Sequence, residues 1–268
     1  MFKKILYKIL FVIFLSVFVF CSYQLIHRYI ESRQQTEQAA ELNEITNQVL
    51  EKTNEELVES DFDLVTLEKL EEDQNRKKIF LSQQYLKEEN DDYVGWLSIP
   101  GTIIDYPVVQ DRDNPEYYLN RNFNKEKSSY GSIYLDSACM INSSRNYVIY
   151  GHHMRDGSMF ASLNNYESES YYLEHPTIRF DSLSEIGDYQ IIAAFKAPAS
   201  DLQHLSSIIL CENSEQYEQF ITYIKENSFY DTGITCIFGE KMLTLMTCEY
   251  SYKNGRIFIV AKKTQKEA

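Results

Sequence analysis

Three side chains that together can break and remake an amide bond stand in order along the chain. His152 lies in NYVIYGHHMRDGSMF (146–160), Cys248 ends LTLMTC (243–248), and Arg256 opens RIFIVAK (256–262). A thiolate can attack a carbonyl, an imidazole can hand a proton to the departing amine, and a guanidinium can hold the charge that gathers on the carbonyl oxygen. Each residue also has a plainer reading. A lone histidine is usually a surface residue, and a cysteine at a strand end is usually a small buried hydrophobe. The pair His152 and His153 makes a poor metal site, because neighbours on extended chain face opposite ways and no third ligand lies nearby. With no C-x-x-C pair either, neither a metal nor a cofactor is expected.

The elements that must position these residues are short strands. If 146–150 is extended, Val148, Tyr150 and His152 project to one side, so His152 sits just past the strand end behind a flexible Gly151. The same alternation puts Thr244, Met246 and Cys248 on one face and Leu243, Leu245 and Thr247 on the other, with Cys248 at a rim. By this reading His153 points away from Cys248. Further β-branched and aromatic stretches lie at 93–110, 131–136, 177–181 and 188–195. Seven or eight such strands, broken by turn signals, predict a closed barrel or sandwich. A helix is expected over 214–226, where Tyr217, Phe220, Ile221 and Ile224 share a face. The fold class is mostly β with inserted helices.

One local signal conflicts with the chemistry. Asn254-Gly255 between two strand-like runs is a strong mark of a two-residue hairpin. That register would place Cys248 opposite Ala261 and leave Arg256 roughly 16 Å along the strand, at ~3.3 Å per residue. A shared carbonyl instead needs Cys248 and Arg256 nearly opposite, with 249–255 forming a wide loop. The wide loop is the expectation.

The region 93–263 resembles the sortases, and class B among them. Tyr150, Gly151, His152 and Met154 match the stretch of the catalytic His; Thr244, Leu245, Thr247 and Cys248 match the nucleophile motif; Arg256 matches the catalytic Arg. WLSIPGTIIDYPVVQ and DNPEYYL are similar to class B as well. The resemblance implies a sortase-like closed β-barrel of about eight strands, preceded by N-terminal helices and a membrane anchor. It implies a cysteine transpeptidase with Cys248 as nucleophile, His152 as acid/base and Arg256 at the oxyanion. The enzyme would cleave a C-terminal sorting signal after Thr and pass the secreted protein, through a thioester, to a peptidoglycan cross-bridge amine. A pilin Lys as acceptor is the nearest alternative, and a non-catalytic surface protein on a sortase-like barrel the next. The resemblance marks Tyr150, Met246, Thr247, Asn114 and Leu119 as substrate-binding residues. Met246 stands where class B sequences often have Ser, so a thioether replaces a hydroxyl beside the nucleophile.

The N-terminus supplies location. Lys3, Lys4 and Lys8 precede an uncharged apolar run from Ile9 to Ile26, long enough to cross a bilayer as a helix. No small-residue cleavage site follows it, and the lysine flank places residues 1–8 in the cytoplasm and everything after Arg28 outside. The expected organisation is a tail over 1–8, a signal anchor over 9–28, an acidic helical stalk over 29–92 and the catalytic domain over 93–268. Of the net charge of −14, −11 lies in the stalk, where 18 acidic side chains stand against 7 basic ones over 31–92. That acidity argues against a nucleic-acid partner. Outside the span lie Cys139, Cys211, Cys236 and Cys248, enough for two disulfides, though a domain of this size does not need them.

Overall fold

Alternating burial at Tyr93, Gly95 and Leu97 marks a strand with one face inward, and it opens an eight-stranded barrel. The computed structural model describes residues 2–52, 64–249 and 255–264. Its strands are β1 (Tyr93–Ser98), β2 (Asp105–Val109), β3 (Ile133–Leu135), β4 (Asn146–Tyr150), β5 (Thr177–Ser182), β6 (Asp188–Ala197), β7 (Met242–Glu249) and β8 (Gly255–Lys263). They close in the order β1-β2-β3-β4-β7-β8-β6-β5. The pairs β2/β3 and β4/β7 are parallel and the others antiparallel. The barrel expected from the strand pattern is therefore present.

A parallel pair cannot be joined by a tight turn and needs a long crossover. Between β4 and β7 that crossover holds β5, β6 and three helices: α3 (Glu169–Glu174), α4 (Leu202–Ile208) and α5 (Ser214–Asn227). α5 follows its sequence pattern, with Tyr217, Phe220 and Ile224 buried and the Asn213 side chain accepting from Gln216 N at 2.9 Å. The short helices α3 and α4 lack a long apolar period and were not expected. Neither were two 3₁₀ turns, Tyr117–Asn120 and Ala161–Glu167. The second of these packs on β6, β7 and β8.

The N-terminal region forms two helices, α1 (Phe2–Lys52) and α2 (Leu64–Glu89). Within α1, Leu10–Gln34 has a mean hydropathy of 2.1 and is wholly unburied. It is long and apolar enough to cross a membrane. The helix then reaches the barrel: Ser129 Oγ donates to Glu31 Oε2 at 2.6 Å, and Ser32 Oγ to Asp156 Oδ2 at 2.8 Å.

Two apolar clusters hold these parts together. The larger fills the barrel and the space under its helices, and includes Leu97, Val148, Phe180, Phe195, Leu245 and Phe258. The smaller joins Leu42 of α1 and Leu86 of α2 to Tyr93, Val109, Tyr118 and Phe123. Leu86 is 1% exposed, so its truncation opens a cavity at this joint. Leu86→Ala is expected to cost about 2–5 kcal/mol, read as a lowered melting temperature of the detergent-solubilised chain. A loss below ~0.5 kcal/mol, the size of an ordinary surface substitution, would show that α2 is not docked there.

Candidate active site

Because β4 and β7 are parallel, both end at the same edge of the barrel. Asn146 lies opposite Met242 and Tyr150 opposite Met246. Two residues further on, the chain reaches His152 on one side and Cys248 on the other. β8 runs the opposite way and starts at this edge, with Cys248 opposite Arg256 and Glu249 opposite Gly255. Neighbouring strands lie about 4.8 Å apart, so three residues distant in sequence share one rim.

This register excludes the two-residue hairpin. Asn254 lies outside the described residues, but Ala261 faces Leu243 and not Cys248. A ladder of eight pairs, with Leu245 opposite Ile259 and Thr247 opposite Ile257, fixes the pairing by burial. A local turn preference cannot compete when a slip would turn core residues outward.

Burial also singles out the rim. β4, β7 and β8 are buried through their middles, while Tyr150, Met246, Cys248 and Arg256 are half-exposed. The thiols of Cys139, Cys211 and Cys236 are buried, and burial pushes them up to about 12, about 12 and about 11. Those three hold little thiolate at neutral pH. Among the described cysteines outside the apolar span, Cys248 is the accessible one. All five cysteines are free thiols.

His152 is held by backbone. Its Nε2 lies 2.7 Å from Leu119 O, and a carbonyl only accepts, so Nε2 carries a hydrogen and Nδ1 is left to exchange protons. Leu119 sits in the 3₁₀ turn 117–120, whose Tyr118 ring is buried. Tyr118 OH donates to Asp92 Oδ2 at 2.8 Å and takes a bond from Asn90 Nδ2 at 3.0 Å. Ser132 N donates to Tyr118 O at 3.0 Å. The turn that follows α2 thus fixes the carbonyl that orients His152.

Several expected roles change in detail. Gly151 is required for closeness and not for flexibility: a Cβ there would stand 2.5 Å from Ile133 Cδ1 and 2.7 Å from the Phe160 ring. Thr247 was expected to meet substrate, but it is 2% exposed and its Oγ1 donates to Gly151 O at 2.7 Å. It ties β7 to the residue before His152. Leu119 acts here through its carbonyl, and its side chain is half-buried. Asn114 is exposed and lines a groove of about 620 Å³ with Glu31, Glu116, Tyr117 and Arg121, a groove that none of the three rim residues lines. His153 does not turn away: its Nδ1 lies 3.0 Å from Cys248 O. Arg256 Nη1 donates to Gly255 O at 3.0 Å, which orients the guanidinium.

Tyr150 gives its hydroxyl to Asp136 Oδ2 at 2.5 Å, and burial followed by the Asp136 charge raises the phenol far above its ordinary range. Its ring lies 5.3 Å from that of Tyr134, directly across the β3/β4 pair. Tyr134 was missed from sequence. Burial first, then Glu116, Asp136 and Cys248, push its phenol up to about 12, and Arg256 opposes them. Tyr134 is therefore within electrostatic reach of both rim residues. The available signal was the alternation of GSIYLD, which turns Ile133 and Leu135 inward and Tyr134 toward the rim.

A family model for the sortase domain matches residues 97–264. Sortase B of Staphylococcus aureus is 30% identical over 258 residues, covering 95% of this chain and 94% of that protein. The chain belongs to the sortase family. Sortase B of Listeria monocytogenes is 34% identical over 187 residues, 68% of this chain and 73% of that one. The solved Staphylococcus aureus sortase B–substrate complex superposes with a TM-score of 0.71 at 27% identity, covering 89% of this chain and all of that one. These relatives place this sortase in class B, as a cysteine transpeptidase.

In this sortase the rim has no room to relax at Gly151. Gly151→Ala is expected to lose about 1–3 kcal/mol through overpacking against Ile133 and Phe160, with turnover falling more than the stability loss accounts for. Thermal melts with steady-state rates check it. Unchanged turnover would mean that His152 does not depend on this contact.

Proposed function

We propose that this sortase cleaves a C-terminal sorting signal after Thr and joins the released protein to a peptidoglycan amine. The observation that carries the reading is the position of β7 between parallel β4 and antiparallel β8, which gathers Cys248, His152 and Arg256 at one half-exposed rim. His152 takes the Cys248 proton at Nδ1, and the thiolate attacks the Thr carbonyl. Arg256 holds the oxyanion while His152 returns the proton to the departing amine, leaving a Cys248 thioester. An incoming amine attacks that thioester, gives its proton to His152 and leaves as an amide, and the thiolate is reprotonated. Tyr150 and Met246, half-exposed beside Cys248, line the substrate side of the rim, and the exposed Asn114 binds the signal further out.

The apolar Leu10–Gln34 helix supports a single-pass anchor with the barrel outside the cell, reached by lysines on its N-terminal flank. A solved sortase B carries a tri-glycine ligand, which makes triglycine the acceptor of choice for assay.

Peptides holding a Thr–Asn or Thr–Gly bond, incubated with triglycine, are expected to yield an amide product. Free acid alone in the presence of the amine would show a peptidase. Cys248→Ala is expected to abolish both products with the fold intact, and retained cleavage would end this reading. Arg256→Lys should lower kcat/KM by about 10²-fold, because an ammonium cannot reproduce the planar donor fork; near-normal turnover would show that charge alone suffices. Met246→Ser should reorder a panel of sorting peptides, and an unchanged ranking would remove Met246 from the groove.

A further inference from the structure

The backbone ladder between β4 and β7 ends with Gly151 N donating to Met246 O at 3.2 Å. Beyond that point two side chains continue it. Thr247 Oγ1 donates to Gly151 O at 2.7 Å, and His153 Nδ1 lies 3.0 Å from Cys248 O. A carbonyl oxygen only accepts, so this contact requires a hydrogen on His153 Nδ1. The same nitrogen is 3.3 Å from Asn164 Nδ2, which can only donate; turning that amide over brings Oδ1, buried without another hydrogen-bond partner, into place to accept from Nδ1–H. His153 is also fixed along its backbone, through an antiparallel bridge to Met159. The neighbouring His152 O accepts from Phe160 N at 2.9 Å. One short loop therefore carries His152 and, on the next residue, a clamp on the peptide of Cys248.

We propose that His153 is a positioning residue: its Nδ1–H holds the Cys248 peptide and so sets the distance between Cys248 and His152. This rests on the function proposed above. The clamp matters most when a thioester forms and breaks, because small misplacements of a nucleophile cost rate far more than binding. It acts on the Cys248 carbonyl, so its loss is expected in kcat and not in KM.

The geometry gives a sharp test. Nδ1 is bonded to Cγ, as is the amide nitrogen of Asn, whereas the amide of Gln lies one bond further out, near the place of Nε2. In the full-length enzyme with a sorting peptide and triglycine, His153→Ala and His153→Gln are expected to lower kcat by about 10-fold or more. KM should stay within about twofold, and His153→Asn should restore kcat to within about threefold. The Asn and Gln variants keep the test decisive if the Ala variant folds poorly, since both are polar and differ by one methylene. A wild-type kcat in His153→Gln, or a kcat in His153→Asn as low as in His153→Ala, overturns the clamp. Absence of any acyl transfer by the wild-type enzyme would instead overturn the function on which it rests.

Discussion

The placement of β7 between a parallel and an antiparallel neighbour is the constraint on which the rest of the site depends. A parallel partner ends where β7 ends, and an antiparallel partner begins there. Those two facts, with the register Tyr150–Met246 and Cys248–Arg256, bring three stretches of chain to one rim. The cost lies in the crossover between β4 and β7, which must order about ninety residues before the two strands can pair.

The rim itself is tightened by contacts that carry no chemistry. Gly151 lets Ile133 and Phe160 close against the backbone beside His152. Thr247 spends its hydroxyl on Gly151 O, and Tyr118, buried and doubly hydrogen-bonded, holds the turn that presents Leu119 O to His152. Productive geometry has to be kept within about half an ångström, and polar groups locked inside a packed core keep it better than exposed ones. The half-exposed face is confined to the strand ends, where a polypeptide substrate could approach.

Much of this was legible in the sequence, for a physical reason. Period-two burial is a local property, so the strands, the outward face of Met246 and Cys248, and the α5 stripe of Tyr217, Phe220 and Ile224 could be read residue by residue. Pairing is not local. Asn254-Gly255 favours a tight hairpin by its own dihedral preference, and the eight-pair ladder between β7 and β8, buried through its middle, overrides it. Hydrogen bonds across the fold were likewise invisible. Thr247 looked available until Gly151 O was placed beside it, and His153 looked remote because alternation fails once the chain leaves the strand. Tyr134 drew no attention because its importance comes from Tyr150 across the ladder and from Cys248 and Arg256 beyond.

The central claim is that acyl transfer passes through Cys248, and the most direct test is where the acyl group lands. Full-length enzyme turning over a Thr-containing sorting peptide is quenched in acid, digested and mapped by mass spectrometry. The account predicts a hydroxylamine-labile adduct, equal to the peptide through its Thr less water, on the fragment that holds Cys248. An adduct on Cys139, Cys211 or Cys236, or full turnover with Cys248 blocked by prior alkylation, would contradict it.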